Sequence, residues 1–374
     1  MTLDVRLNNQ SLRELMSGPP RITDQLDAAC RTLEIPAKSA AELENYMGQP
    51  VELWYGGKRW FVGFLMRRRF GADGAITYVA YDPLYFLKRN TDDWYFTDST
   101  ATQAFKILAD KSGVRVGPLA GTSVVFPQLY YQGASADKVA VDLLARTLRS
   151  GGKKYWFRYR PDDGADGLIL FEKVVPSKIW AFQVGVNLTA ASKEESLEET
   201  ATVVRLINRE TGKTVTKADA TALKQYGQLV HFAEVDKDKA DTMETDAQTL
   251  LDNLKRLGVT MAAEGINPDQ AIPQLYSGDA IYVEEPVTGL VGGYYIRNLT
   301  QTFESDNLVT LSFDLTTAPD VPDLVYEDAD KNPESDAKAA GTKTGAAGTT
   351  AADGVGVQQG YSDEVKALID KYGI

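Results

Sequence analysis

The chain has 374 residues, enough for two or three domains of roughly 100–200 residues each. Hydrophobic residues make up 43% and charged residues 25%, which provides a core over most of the length and excludes a wholly disordered chain. The 52 acidic and 40 basic residues leave a net charge of −12, which repels nucleic acid overall because DNA affinity rests on Lys and Arg displacing counterions.

Residues 1–90 predict a first β module. Arg31–Pro36 alternates apolar and polar side chains, and Pro50–Tyr55 runs into Gly56-Gly57, a pair suited to the positive φ of a tight hairpin turn. Arg59–Met66 returns as an aromatic-rich strand, and a second hairpin turns at Gly71–Gly74 into Ala75–Tyr81. Bulky residues on both faces suit the wall of a barrel or sandwich.

Residues 91–152 predict an α/β insert. Just before it, Pro83 stands where a first helical turn tolerates proline. Ala101, Ala104, Phe105 and Leu108 share one helical face, with Ser99 or Thr100 as cap and Gly113 as stop. Val139, Leu143, Leu144 and Leu148 repeat that pattern up to Gly151-Gly152.

Residues 153–318 predict a second β module with a helical insertion. Its strands are Lys154–Tyr159, Gly167–Phe171, Ala201–Ile207, Asp279–Val283, Gly293–Leu299 and Leu308–Leu315. Its helix carries Ala240, Met243, Ala247, Leu250, Leu251, Leu254 and Leu257 on one stripe and ends at Gly258. Two β modules with α/β segments inserted make the expected fold class α+β.

Residues 319–360 are rich in Asp, Ala, Gly, Thr and Pro and nearly empty of aromatics, so they predict a disordered, flexible acidic linker. In residues 361–374, Val365, Leu368, Ile369 and Tyr372 fall on one face of a C-terminal helix. Such a helix is too short to stand alone in water, so it is expected to dock on a partner; a frayed tail is the alternative.

The chemistry-bearing residues are few. One cysteine, Cys30, excludes an internal disulfide, and with one histidine, His231, it excludes a Cys/His zinc site within one chain. His231 lies in the alternating run Gln228–Val235, which favours a structural role over a catalytic one. No phosphate-binding Gly-x-x-x-x-Gly-Lys-Ser/Thr loop and no Gly-x-Ser-x-Gly elbow is present.

Glu194, Glu195, Glu198 and Glu199 form the densest acidic cluster, read as the solvated face of a polar connection rather than the paired carboxylates of a glycosidase. Arg67-Arg68-Arg69 is the one basic cluster, read as a solvated hairpin end, with a partner or phosphate contact as the alternative. No catalytic, cofactor or metal site is expected, and the chain is not expected to be an enzyme. No run approaches the ~20 apolar residues of a membrane span, and the N-terminus lacks the pattern of a secretory signal.

Tyr78–Lys88, with Ala80-Tyr81-Asp82-Pro83-Leu84 at its centre, resembles the Ala-Tyr-Asp-Pro-Leu stretch of the tail hub proteins of PBSX-like contractile phage tails, the XkdQ-like family. Gly151–Tyr155, Tyr226–Leu229, Gly278-Asp279 and Glu285–Gly292 with Tyr295-Ile296 are similar to that family in order and spacing. The resemblance spans residues 1–318. It implies a structural baseplate hub of a phage tail, tailocin or related injection particle, a homotrimeric ring that adapts a sixfold tail tube to a threefold spike.

Three chains with two tube-like modules each would present six similar units. The implied partners are the tail tube protein, the spike protein and other baseplate proteins, with no specific nucleic-acid binding, no membrane insertion and no cofactor. The implied location is the host cytoplasm during assembly and then the particle tail. Trp54, Tyr55, Trp60, Tyr130, Tyr131, Tyr294 and Tyr295 on the strand runs suit large contacts between copies, although burial within the chain is the plainer expectation for each. A tail-associated peptidoglycan-degrading enzyme and a carbohydrate-binding β module are the competing readings.

Overall fold

A computed structural model describes residues 3–38, 47–72, 74–162, 165–173, 179–235, 242–268 and 273–317. The linker 319–360 and the helix bearing Val365, Leu368, Ile369 and Tyr372 lie outside the described residues.

Period-two alternation builds the first strands: β1 (Leu3–Leu7), β2 (Gln10–Ser11), β3 (Arg21–Gln25), β4 (Thr32–Ala37), β5 (Pro50–Tyr55), β6 (Lys58–Phe70) and β7 (Ile76–Tyr81). β1 buries Leu3, Val5 and Leu7, and β4 buries Leu33, Ile35 and Ala37, each turning its other face outward. The β5–β6 hairpin turns on Gly56 and Gly57, both at positive φ (60° and 75°), as the sequence requires.

The chain then leaves this sheet through α1 (Tyr85–Arg89), β8 (Thr91–Thr100), α2 (Ala101–Lys111), β9 (Val116–Leu119), β10 (Val125–Ser135), α3 (Ala136–Arg149), β11 (Tyr155–Arg160) and β12 (Gly167–Glu172). α2 begins on a capping box in which the Thr100 hydroxyl accepts from the Gln103 backbone N–H and the Gln103 side chain accepts from the Thr100 N–H. β8 and β10 form an antiparallel ribbon, and β11, β12 and β9 a three-stranded sheet. Trp94, Phe105, Tyr131, Leu143, Tyr159 and Leu168 share a second core. The segment 153–172 thus packs with the α/β insert that precedes it.

The return begins with β13 (Trp180–Gln183) and β14 (Leu188–Ser196) and is interrupted by a small unit of β15 (Val203–Ile207), β16 (Thr214–Ala218), α4 (Ala220–Tyr226), β17 (Val230–Glu234) and α5 (Met243–Leu254). Met243, Ala247 and Leu251 of α5 cover Val204, Leu206 and Val215. α5 is shorter than its apolar stripe suggests: Leu257 lies beyond it, and Gly258 opens a strand. The chain finishes with β18 (Gly258–Pro268), β19 (Ala280–Glu285), β20 (Leu290–Ser305) and β21 (Leu308–Thr316).

The first and last strands join in one 13-stranded sheet. Within it the order β3-β4-β7-β6-β5-β1 recurs as β14-β18-β21-β20-β19-β13. Each set centres on a long strand, β6 or β20, whose ladder with the next strand slips at Met66 or Arg297; the β20 ladder slips a second time at Glu304. The sets differ at one margin, where β1 runs antiparallel to β5 and β13 parallel to β19. They are joined where the second half of β20 pairs antiparallel with β3, from Asn298 opposite Gln25 to Thr302 opposite Arg21.

One core spans both sets, and at its centre Tyr55, Trp60 and Phe303 meet edge to face at 5.3–5.6 Å. Tyr55, Trp60 and Tyr131 are buried, while Trp54, Tyr130, Tyr294 and Tyr295 are half-buried.

Candidate functional site

Several stretches that are far apart in sequence meet where the insert abuts the large sheet. Asp82 directly follows β7, and its carboxylate accepts from the backbone N–H groups of Arg31 and Leu84, both at 3.0 Å. The Arg31 guanidinium lies 3.6 Å from the same carboxylate, with both side chains almost fully enclosed (5% and 1% exposed). Burial pushes the Asp82 carboxyl up to about 7, against the opposing pull of Arg31.

Next to this pair two cations lie over the Tyr276 ring, Arg31 at 5.0 Å and Arg158 at 4.4 Å from its centroid. Arg158, on β11, donates to Asp279 at 3.0 Å. Asp279 also accepts from the Tyr276 backbone N–H, which shapes the turn before β19. Asp24, on β3, accepts from the Ser277 N–H and hydroxyl at 3.0 and 2.8 Å. Asp24, Arg31, Asp82, Arg158, Tyr276 and Ser277 border a cavity of about 260 Å³.

Close packing completes the joint. Gly278 has φ 79°, and a Cβ there would fall 1.6 Å from the Trp156 ring of β11. Lys173 lies 4.4 Å from the same ring and donates to the Gly278 carbonyl, and burial lowers its ammonium to about 8. On the other side of the joint, Arg59 of β6 binds Asp166 at 2.9 Å and Glu52 at 2.8 Å, and Tyr159 donates to Asp166 at 3.0 Å. The arrangement positions cations on rings and carboxylates on backbone amides, and it acts as a clamp between the insert and both strand sets.

Three of the stretches that carry the resemblance, Tyr81–Leu84, Gly151–Tyr155 and Gly278-Asp279, converge here. Their convergence was not legible in the sequence, because it depends on contacts such as Arg31 to Asp82 and Arg158 to Asp279.

The remaining singled-out residues sit elsewhere. His231 is exposed on β17, opposite Val204, rather than packed in a core. Glu194 and Glu195 lie on β14, a strand and not the connection the sequence suggests, and they are exposed there; Glu198 and Glu199 follow it, also exposed. Arg67, Arg68 and Arg69 form the last turn-ward part of β6, and Arg69 pairs with Glu34. Among the described residues no cluster of three or more His, Cys, Asp or Glu is placed to hold a metal ion, and no helix is long and apolar enough to cross a membrane.

Two proteins of Bacillus subtilis (strain 168) are similar to this chain: YqbQ, 25% identical over 280 residues, covering 74% of this chain and 84% of that protein; and the phage-like element PBSX protein XkdQ, 23% identical over 282 residues with the same coverage. Among solved structures, the 43 kDa tail protein of prophage MuSo2 from Shewanella oneidensis superposes with a TM-score of 0.59 at 14% identity, covering 86% of this chain and all of that one. Residues 21–316 match the YQBQ-like family. The chain therefore belongs to the YQBQ-like family and has the α+β, β-rich fold of a phage tail protein.

Proposed function

We propose that the protein is the structural hub of a phage tail baseplate or related contractile particle. Three copies close into a ring that adapts a sixfold tube to a threefold spike. The observation that carries this reading is the strand order repeated twice within one sheet. A chain with two like β units lets a threefold ring offer six like surfaces, which a single unit per chain cannot do.

In this reading residues 1–90 and strands β13, β14 and β18–β21 are the tube-like units, and the other segments are attachments to them. The tube protein, the spike protein and other baseplate proteins are the partners, and residues 361–374 dock on one of them through Val365, Leu368, Ile369 and Tyr372. Assembly takes place in the host cytoplasm, and the finished particle carries the protein in its tail. No catalytic step belongs to this role.

Mass photometry of the full chain, alone and with its spike protein, tests the reading. Trimers are expected, and a strictly monomeric protein in both conditions contradicts it. Deleting residues 361–374 is expected to leave Tm unchanged while weakening assembly with one partner. A sharp fall in Tm would instead place that helix in the core of its own chain.

A further inference from the structure

The repeated strand order assigns an interface as well as a count. Inside the chain, the second half of β20 pairs with β3. The counterpart of β20 is β6 and the counterpart of β3 is β14, yet β6 and β14 do not pair with each other. Among the described residues, β7 is the only strand laddered against Arg67–Phe70, and β18 the only one laddered against β14. Among the described residues, two strand edges that are counterparts of an existing junction thus carry no second ladder.

The ladders transfer the register residue by residue. Aligning the slips at Met66 and Arg297 makes Arg67, Arg68 and Arg69 the counterparts of Asn298, Leu299 and Thr300. Following β7 to β4 to β3, and β21 to β18 to β14, makes Thr23 and Asp24 the counterparts of Glu194 and Glu195. In the existing junction Thr300 faces Thr23 and Leu299 faces Asp24. The counterpart junction therefore sets Arg69 opposite Glu194 and Arg68 opposite Glu195.

We infer that β6 of one copy pairs antiparallel with β14 of the next in this register, joining their sheets into one. The inference rests on the hub reading above and names the surface through which copies meet. Charge supports it independently of topology, since the one basic cluster of the chain meets its densest acidic cluster. Opposite charges directly across a ladder stabilise it, and like charges oppose it. Two β6 edges repel each other, as do two β14 edges, so only the head-to-tail β6–β14 contact is favoured, the heterologous type that closes rings.

The contact also covers Phe70, which is 65% exposed, and Leu197, which is 37% exposed. The bond from the Leu26 N–H to the Arg297 carbonyl has as its counterpart one from the Leu197 N–H to the Met66 carbonyl. Open strand edges are otherwise templates for unwanted pairing, and charge at both edges guards against it.

Cross-linking of the full chain tests this, in a Cys30→Ala background so that only introduced thiols react. Arg69→Cys combined with Glu194→Cys is expected to give a covalent closed trimer under mild oxidation. Arg69→Cys combined with Glu195→Cys, one residue out of register and on the opposite face, is expected to give none. As a second readout, Arg69→Glu and Glu194→Arg are each expected to weaken association about fivefold or more, and the two together to restore it.

A trimer by mass photometry without the Arg69–Glu194 cross-link, or equal cross-linking in both registers, overturns the register and leaves the hub reading standing. A monomer in every variant and in the unaltered chain overturns the hub reading and this contact with it.

Discussion

Asp82 shows how a single carboxylate ties the chain just before β4 to the exit from β7. Two backbone amides and Arg31 favour its ionised form, burial opposes it, and the balance leaves its carboxyl at about 7. Unfolded, an aspartate titrates near ~4, so between about pH 4 and 7 the folded state holds a proton that the unfolded state has released. Stability therefore falls as pH rises through that window, by up to about 1.4 kcal/mol per unit. Urea denaturation at several pH values is expected to show this slope, and Asp82→Asn to flatten it whatever its effect on absolute stability; an unchanged slope contradicts the assignment.

Gly278 makes a second residue-scale case. Both its positive φ and the Trp156 ring exclude a side chain, so Gly278→Val is expected to cost about 2 kcal/mol or more in chemical denaturation. A neutral result would mean that the joint is loose. The sequence displayed Asp82 and Gly278 only as parts of similar stretches. Their roles depend on partners 51 residues away for Asp82 and on β11 for Gly278.

At the scale of elements, legibility followed burial. The Gly56-Gly57 hairpin, the Thr100 cap and the helices of 101–111 and 136–149 were readable because turn chemistry, capping and apolar periodicity are local. Thr100→Ala is expected to cost about 1 kcal/mol in urea denaturation through loss of the cap, and no change would mean the capping box carries no weight.

Of the strands that the sequence did not reveal, three show why. β8 is mostly polar and exposed, so its alternation has little amplitude. β14 buries only Leu188 and looks like a charged connection, because it is a sheet edge. β18 begins at Gly258, soon after an amphipathic helix that ends at Leu254, and Leu257 between them prolongs the helix's apolar stripe up to the strand. The duplicated strand order was also hidden: its counterpart positions keep topology and register without keeping residue type, as Arg67–Arg69 against Asn298–Thr300 shows.

At the scale of the whole molecule, the two strand sets share one core instead of standing as independent domains. Phe303 of the second set packs on Tyr55 and Trp60 of the first, so Phe303→Ala is expected to cost about 3–5 kcal/mol and to lower a single cooperative transition. Two separate transitions would show that the sets unfold independently. In the proposed ring, a fused pair would fix the junction between like units covalently at half of the positions, and only the other half would form by association.

Cryo-electron microscopy of the purified full chain tests that claim most directly. The expected image is a threefold ring with six similar lobes around an open centre; a ring with three lobes, or particles that stay single, would contradict it.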